Sequence, residues 1–399
     1  MSRLASTAEL VSGSGIREIL DTVVRRKADV LRLEIGEPDF PAPPHVIAAA
    51  QEAAAAGARY TQSAGTPALR EALAARVSAL SGMAYSPEQI VVTQGGVQGC
   101  SLVMGALVSP GDEVLIPDPA WPNFEMQVVM NGARPVRYPL RVDAGFLPDV
   151  AEIASLITDR TKLLVLNSPS NPTGAVFPPS VVEAVVRLAA ERGVVVLSDE
   201  VYDELIFEGS PCNAISYDAE NVVGVYSMSK TYAMTGWRAG YVAAPGWLAS
   251  TLVRLQEAQL SCVSAVTQAA ALAAVTGPQA IIAFMRETYR RRRDIAVDLC
   301  RDAGIDVVAP SGAFYLMFPF APGVDGREAA LRLIDEGIAV APGTAFGESA
   351  RNFARLSLAV EEPVLKEALH RLTSWHRRTN GGLLLGADDN PAAPTTTAN

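Results

Sequence analysis

One lysine in this chain has neighbours that could put its amine to use. Val222 to Tyr226 is an apolar run with one glycine and reads as a buried strand. It runs into Ser227-Met228-Ser229-Lys230, and Arg238 follows a short loop later. A lysine amine can form a Schiff base with an aldehyde. Hydroxyls and a guanidinium beside it can hold a phosphate, so the group as a whole suits a covalently held, phosphorylated aldehyde cofactor. A lone lysine at a strand end is ordinarily just an exposed residue. The rest of the chain has to decide between the two readings.

Other residues could contribute. Gln94-Gly95-Gly96-Val97 lies between a strand, 89–93, and a helix reaching Val108. Bare amides at a helix N-terminus bind phosphate, although glycines there also serve close strand–helix packing. Trp121, in the Pro-rich stretch Pro117 to Pro122, is either a packing anchor or a face on which a flat ring stacks. Asn167 to Gly174 ends another strand and contains Asn171-Pro172, a candidate cis bond. Asp199 follows the apolar run Val194 to Leu197, with Tyr202 just beyond it. A carboxylate there needs a cationic partner or loses its charge, unless it caps the next segment. Arg355, inside Phe353-Ala354-Arg355-Leu356-Ser357-Leu358, needs an anion from the protein or a substrate. Gly36-Glu37-Pro38-Asp39-Phe40 is a linker or a loop across a pocket mouth.

The elements that must position these groups alternate. Apolar strands are expected at 31–35, 89–93, 113–116, 134–138, 162–167, 194–198, 222–226 and 239–243, with helices between them. The helix 180–192 carries Ser180 and Glu183 as a capping box, and Val181, Val185 and Leu188 on one face. This pattern predicts an α/β fold with a parallel or mixed sheet covered on both sides, whose ligands sit outside the strands' carboxyl ends. A smaller α/β unit follows, with strands at 306–308, 313–318, 338–341 and 352–359. The expected division is an N-terminal segment, 1–43, joining the small domain; a large domain, 44–280; a small domain, 281–380; and a disordered tail, 381–399. The basic run Arg290 to Arg293 is expected to be a solvated face or a subunit contact.

A net charge of −10 argues against nucleic acid or an anionic membrane as a partner. No apolar run has the length of a membrane span and no signal peptide is evident, so the cytoplasm is the expected compartment. The cysteines are scattered and unpaired in pattern, which suits small buried apolar residues better than disulfides. With 3 histidines, a multi-histidine metal site or a His-centred triad is not expected. A nicotinamide dehydrogenase is disfavoured because no strand–GxGxxG–helix occurs.

Taken together, Gly36-Glu37-Pro38-Asp39-Phe40, Asn171-Pro172-Thr173-Gly174, Asp199-x-x-Tyr202, Ser227-x-Ser229-Lys230 with Arg238, and Arg355-Leu356-Ser357 resemble the class I/II aminotransferases, in that family's order. The resemblance implies pyridoxal-phosphate fold type I, a large cofactor-binding domain and a smaller one, and transfer of an amino group between an L-amino acid and a 2-oxo acid by a ping-pong mechanism. It implies that Lys230 carries pyridoxal 5′-phosphate and shuttles the substrate's Cα proton, and that Asp199 pairs with the ring nitrogen. Tyr202 and Asn171 would contact the ring oxygen, and Trp121 would stack on the ring. Gly95, Gly96, Val97, Ser227 and Arg238 would hold the phosphate. Arg355, Asn171 and the Gly36 backbone would receive the substrate, with Gly13 to Ile16 near the entrance. Tyr60 would reach the phosphate of a neighbouring subunit in a homodimer. A β-lyase or decarboxylase of the same fold, and an aminotransferase-like sensor module, are the alternative readings. The second lacks an attached basic DNA-binding segment. No second cation for a distal substrate carboxylate is evident.

Overall fold

The computed structural model describes residues 4–383. Among the described residues, twelve strands form three sheets: β1 (Leu31–Arg32), β2 (Ile90–Thr93), β3 (Glu113–Asp118), β4 (Arg134–Pro139), β5 (Thr161–Asn167), β6 (Val195–Asp199), β7 (Val222–Ser227), β8 (Gly240–Ala243), β9 (Tyr315–Pro319), β10 (Ile338–Ala339), β11 (Ala341–Pro342) and β12 (Phe353–Ser357). The main sheet has the order β2-β8-β7-β6-β5-β3-β4. All its neighbours are parallel except β8, which runs against both β2 and β7.

Alternation along the strands divides the core between the two faces of this sheet. In β5, Leu164 and Leu166 join one cluster with Leu115, Val196 and Val222. Leu163 and Val165 join another with Val114, Leu197 and Val223 on the opposite face. Each cluster is roofed by helices, including Gly96–Leu107 on one side and Pro179–Glu191 on the other. A third cluster belongs to the C-terminal part, where β9 and β11 flank β12 in an antiparallel sheet and β1 pairs with β10.

Register places the chemistry. Asn167 pairs with Asp199, and Asp199 with Val225, so the ends of β5, β6 and β7 lie side by side. β7 ends at Ser227, whose Oγ accepts the Ser229 N–H at 3.1 Å and starts the short helix Met228–Thr231. That cap sets Lys230 one turn beyond the sheet edge.

The sequence-based expectations need several corrections. The helix 180–192 begins instead at Pro179, which needs no donor at the first helical position, and no side chain caps it. Glu183 pairs with Arg187, and the buried face is Val182, Val185, Val186 and Ala189. Residues 306–308 form no strand; the nearby chain makes only a bridge between Ile206 and Gly312. The strand expected at 338–341 is interrupted at Val340, and β1 pairs over Leu31–Arg32 alone. Of the expected tail, Gly381 is tied to His376 O at 2.7 Å, while residues 384–399 lie outside the described part. Among the described residues no single helix is long and apolar enough to cross a membrane.

The basic run is not a solvated face throughout. Arg292 and Arg293 are buried within the helix Ala280–Asp302. Arg292 makes a two-pronged pair with Asp39, Nη1 to Oδ1 at 2.8 Å and Nη2 to Oδ2 at 2.7 Å. Arg293 holds the Pro310 carbonyl at 2.8 Å and pairs with Glu208. Planar guanidinium forks make such pairing possible where lysine would fail. Arg292→Ala is expected to lower the unfolding free energy by about 3 kcal/mol, because Asp39 loses its counter-charge. Arg290→Ala, at an exposed pair, should leave the denaturant midpoint unchanged. Chemical denaturation of both variants checks the contrast.

Candidate active site

A cavity of about 820 Å³ opens at the carboxyl ends of β5, β6 and β7. Its lining includes Gly36, Gly96, Val97, Trp121, Asn171, Asp199, Tyr202, Ser227, Lys230, Arg238 and Arg355. The structure therefore gathers eleven of the residues singled out from the sequence around one space. Gly95 caps the helix behind it, and Tyr60 is elsewhere.

Asp199 is buried at the end of β6. Among the described residues its carboxylate has no cationic partner and accepts only the Val201 N–H, at 3.3 Å. Burial pushes its pKa up to about 7, and that one weak bond opposes the shift. A buried carboxylate aimed into a cavity with nothing to neutralise it fits a ligand bearing a protonated ring nitrogen.

Lys230 Nζ donates to the Gly36 carbonyl at 2.5 Å. Loss of solvent lowers its pKa to about 8; Glu37 works against the fall, and Arg355 and Arg238 reinforce it. An appreciable fraction of the amine is thus neutral and nucleophilic near neutral pH.

An anion site lies to one side of the lysine. Gly96 and Val97 open the helix Gly96–Leu107 with free backbone amides, and Gly95 adopts φ 79°. A Cβ on residue 95 would lie 2.6 Å from Arg238 Nη2, so only glycine lets the guanidinium approach. Arg238 itself is held at φ 58°, in the left-handed region that a side chain normally avoids, with Nη1 on Thr235 O at 2.7 Å and Nη2 on Gln94 O at 3.2 Å. Ser227 and Ser229 face the same space.

A carboxylate site lies at the other side. Arg355 projects from the centre of β12, 2 % exposed. Its Nη1 donates to Asn171 Oδ1 at 3.0 Å and its Nη2 to Glu34 O at 2.6 Å, while Nε is buried with no partner. The rings of Tyr315 and Phe346 hold the guanidinium at 4.3 and 4.9 Å. Asn171 is held in turn by its own N–H, which donates to Asn167 Oδ1 at 2.8 Å, and its bond to Pro172 is cis. Cis bonds also precede Pro119 and Pro169, which sequence reasoning did not anticipate.

Tyr315 was likewise not singled out. Its hydroxyl meets that of Tyr202 at 2.7 Å, and a Cβ at residue 36 would collide with it, which explains the glycine there. A polar-tipped aromatic within an apolar strand was the only available signal. Glu37 and Thr235 bond to each other at the rim and were also missed. Trp121 lines the cavity and packs edge-on against Phe124, with ring centroids 5.4 Å apart.

An anion cradle, an unneutralised buried acid, an amine of lowered pKa and an arginine with an unused nitrogen define a pyridoxal-phosphate enzyme of fold type I. The chain belongs to the class I and II aminotransferases: that family's model, "Aminotransferase class I and II", matches residues 28–372. It is 40% identical over 354 residues to the aspartate/prephenate aminotransferase of Thermus thermophilus, a match covering 87% of this chain and 91% of the relative. It is 36% identical to the LL-diaminopimelate aminotransferase of Desulforudis audaxviator, covering 90% and 93%. The solved structure of Thermus thermophilus aspartate aminotransferase with maleate superposes with a TM-score of 0.90 at 37% identity, covering 94% of this chain and 100% of that one. The protein is a pyridoxal-phosphate-dependent transaminase acting on amino acids and 2-oxo acids.

The buried acids make a pH dependence testable in the cofactor-free protein. Asp199 binds its proton more tightly when folded, so this contribution to stability is full below about pH 4 and is lost as pH rises towards about 7. Glu200, pushed by burial up to about 8, acts in the same sense. Lys230 acts oppositely, but only between about 8 and its ordinary value. Thermal midpoints should fall from pH 5 to pH 7, and less steeply in Asp199→Asn; identical slopes would contradict the account.

Proposed function

We propose that the cavity performs amino transfer with the following division of labour, carried above all by Asp199 lacking an internal counter-ion while Lys230 stands within the same space. When bound, pyridoxal phosphate supplies an aldehyde for covalent attachment and a ring that accepts electron density from the substrate's Cα. Lys230 is the attachment point. Its amine, when free, would take the substrate's Cα proton and later return one as general base and acid. Asp199 keeps the ring nitrogen protonated, and each charge stabilises the other. Gly95, Gly96, Val97, Ser227 and Arg238 hold the phosphate through amides, hydroxyl and guanidinium. Tyr202 and Asn171 reach the ring oxygen, and Trp121 covers the ring face.

Arg355 receives the substrate's α-carboxylate. Its buried, unpartnered Nε supports this role, since a carboxylate would satisfy it, and Asn171 and the Gly36 backbone border the same place. The two aromatic rings and the Glu34 carbonyl orient the guanidinium before substrate arrives, which lowers the cost of binding.

The proposed working unit is a homodimer in which Tyr60 reaches the neighbouring subunit's phosphate site. Tyr60 is 92 % exposed, and it does not line its own chain's cavity. The segment after it is anchored by Gln268, whose Oε1 accepts the Thr66 N–H at 2.7 Å and whose Nε2 donates to Thr61 Oγ1 at 2.8 Å. An exposed aromatic on an anchored segment suits a contact made outside its own chain. The proposed division of the chain follows the sequence boundaries, 1–43, 44–280 and 281–380, with the large sheet and the β9–β12–β11 sheet as the centres of the two domains.

Lys230→Ala should lose turnover while keeping its fold and oligomeric state; near-normal activity would falsify the proposed chemistry. Adding amino acids one at a time to the holo-protein, and following the absorption of the bound cofactor, identifies those that complete the first half-reaction. Tyr60→Phe should weaken cofactor retention about ten-fold with the dimer intact, measured by equilibrium dialysis.

A further inference from the structure

The anion cradle is supported by side chains that stand outside the cavity. The helix Gly96–Leu107 starts from Gly95, which has no side chain to cap it. A serine or aspartate cap would occupy one of the first-turn amides, and its absence leaves them for an anion. The loop start must then be fixed in another way. Gly95 N–H donates to Thr93 O at 2.9 Å, and Gln94 N–H donates to Gln98 Oε1 at 2.7 Å. Gln98 is the third residue of the helix, the position from which a glutamine or glutamate reaches back over a helix start.

That bond opens a chain of three. Gln98 Nε2 donates to Gln256 Oε1 at 2.5 Å, and Gln256 Nε2 donates to the Val92 carbonyl in β2 at 2.6 Å. Gln256 comes from the helix Gly246–Leu260 and is fully buried, where an unmade polar bond is costly. Both ends fix the direction of the chain. A backbone N–H, which can only donate, begins it, and a backbone carbonyl, which can only accept, closes it. Each side-chain amide therefore turns its oxygen towards Gln94 and its NH2 towards Val92. Only an amide serves at either place. A glutamate could accept but has nothing to donate onward, and a methionine does neither.

Gln94 joins this chain to the cradle. Its N–H is held by Gln98, and its carbonyl accepts Arg238 Nη2 at 3.2 Å. On its other side the loop is pressed against β8, where a Cβ at residue 240 would lie 2.7 Å from the Gly95 carbonyl carbon. Buried Gln127, from the helix Asn123–Met130, holds the Val97 carbonyl at 2.9 Å. Gln98 and Gln256 do not line the cavity, whereas Gly96, Val97 and Arg238 do. We propose that Gln98 and Gln256 are positioning residues for the phosphate: their relay fixes the Gln94 carbonyl beneath Arg238 and keeps the Gly96 and Val97 amides open to the anion. The proposal rests on reading this loop as the phosphate site. Asp199, Lys230 and Arg355 take no part in the relay, so its loss falls on the phosphate and not on the ring.

The test uses the full chain, stripped of cofactor, as wild type, Gln98→Met, Gln98→Glu, Gln256→Met and the double methionine variant. Equilibrium dialysis measures the affinity for pyridoxal 5′-phosphate and for pyridoxal, which lacks the phosphate. Their ratio reports the phosphate site alone, because a general loosening of the protein weakens both ligands together. Wild type should favour the phosphorylated form. Gln98→Met should lower that preference about ten-fold while changing pyridoxal affinity by less than about two-fold. Gln98→Glu should lower it at least as far, since the second link is lost and a negative charge stands near the anion. The double methionine variant should lose no more than the weaker single variant, because both substitutions break one chain. Gln98 is half-buried, so its variants decide the matter even where Gln256→Met does not fold. A wild type indifferent to the phosphate overturns the reading of the loop and the proposal with it. A wild type that favours the phosphate, with an unchanged preference in Gln98→Met or additive losses in the double variant, overturns the relay alone.

Discussion

The organisation of this molecule depends on one uncompensated charge. Asp199 sits at the buried end of β6, where a carboxylate is costly, and the fold supplies it with a single long hydrogen bond. A structural aspartate in such a place would be paired; burial pushes the pKa of this one up to about 7, and no cation among the described residues opposes the shift. The unfavourable placement becomes favourable only when a cation enters from the cavity. In the proposed reading, binding of the ring would therefore be coupled to folding stability, in the same way as any ligand that neutralises a buried group. Arg355 repeats the arrangement with the opposite sign: it is buried and oriented, and one nitrogen is left unused.

Two separately built sheets must agree for these charges to face each other. β6 and β7 deliver Asp199 and Lys230 from one sheet, and β12 delivers Arg355 from another. Asn171 joins them, held by Asn167 on the first sheet and accepting from Arg355 on the second. The Gly36 loop joins them again through Lys230, and Arg292 fixes that loop by gripping Asp39. Rigid supports on both sides matter because a catalytic amine displaced by an ångström loses most of its advantage.

What could be read beforehand, and what could not, follows from the range of the interactions. Lys230, Arg238 and Gly95 were legible because strand, turn and helix N-terminus are neighbours in sequence, and each leaves a local mark. Asp199 and Arg355 were legible as polar residues inside apolar strands. The Tyr202–Tyr315 contact was not, since it joins the turn after β6 to β9 across 113 residues of chain, and nothing local to either tyrosine marks the other as its partner. The capping box at Ser180 failed because Pro179 starts the helix without help from a side chain. The run Arg290 to Arg293 failed for a different reason: its partners, Asp39, Pro310 and Glu208, come from distant segments, so composition alone could not show that two of its members are buried.

The same distinction separates chemistry from specificity. Every amino-acid substrate of amino transfer has an α-amino group, an α-hydrogen and a carboxylate, and in the proposed reading the residues meeting those atoms sit on strand ends and in the centre of β12, where packing holds them. In the proposed reading the variable end of the substrate would meet the cavity wall at the first turn of the helix Gly15–Arg26, which is not part of either large sheet. An element of that kind can change side chains at little cost to the core, because surface substitutions outside packed contacts alter stability only slightly. Side-chain preference can then change without moving Lys230, Asp199 or Arg355. Conserved chemistry requires rigid supports, and variable recognition requires a wall that the core does not depend on.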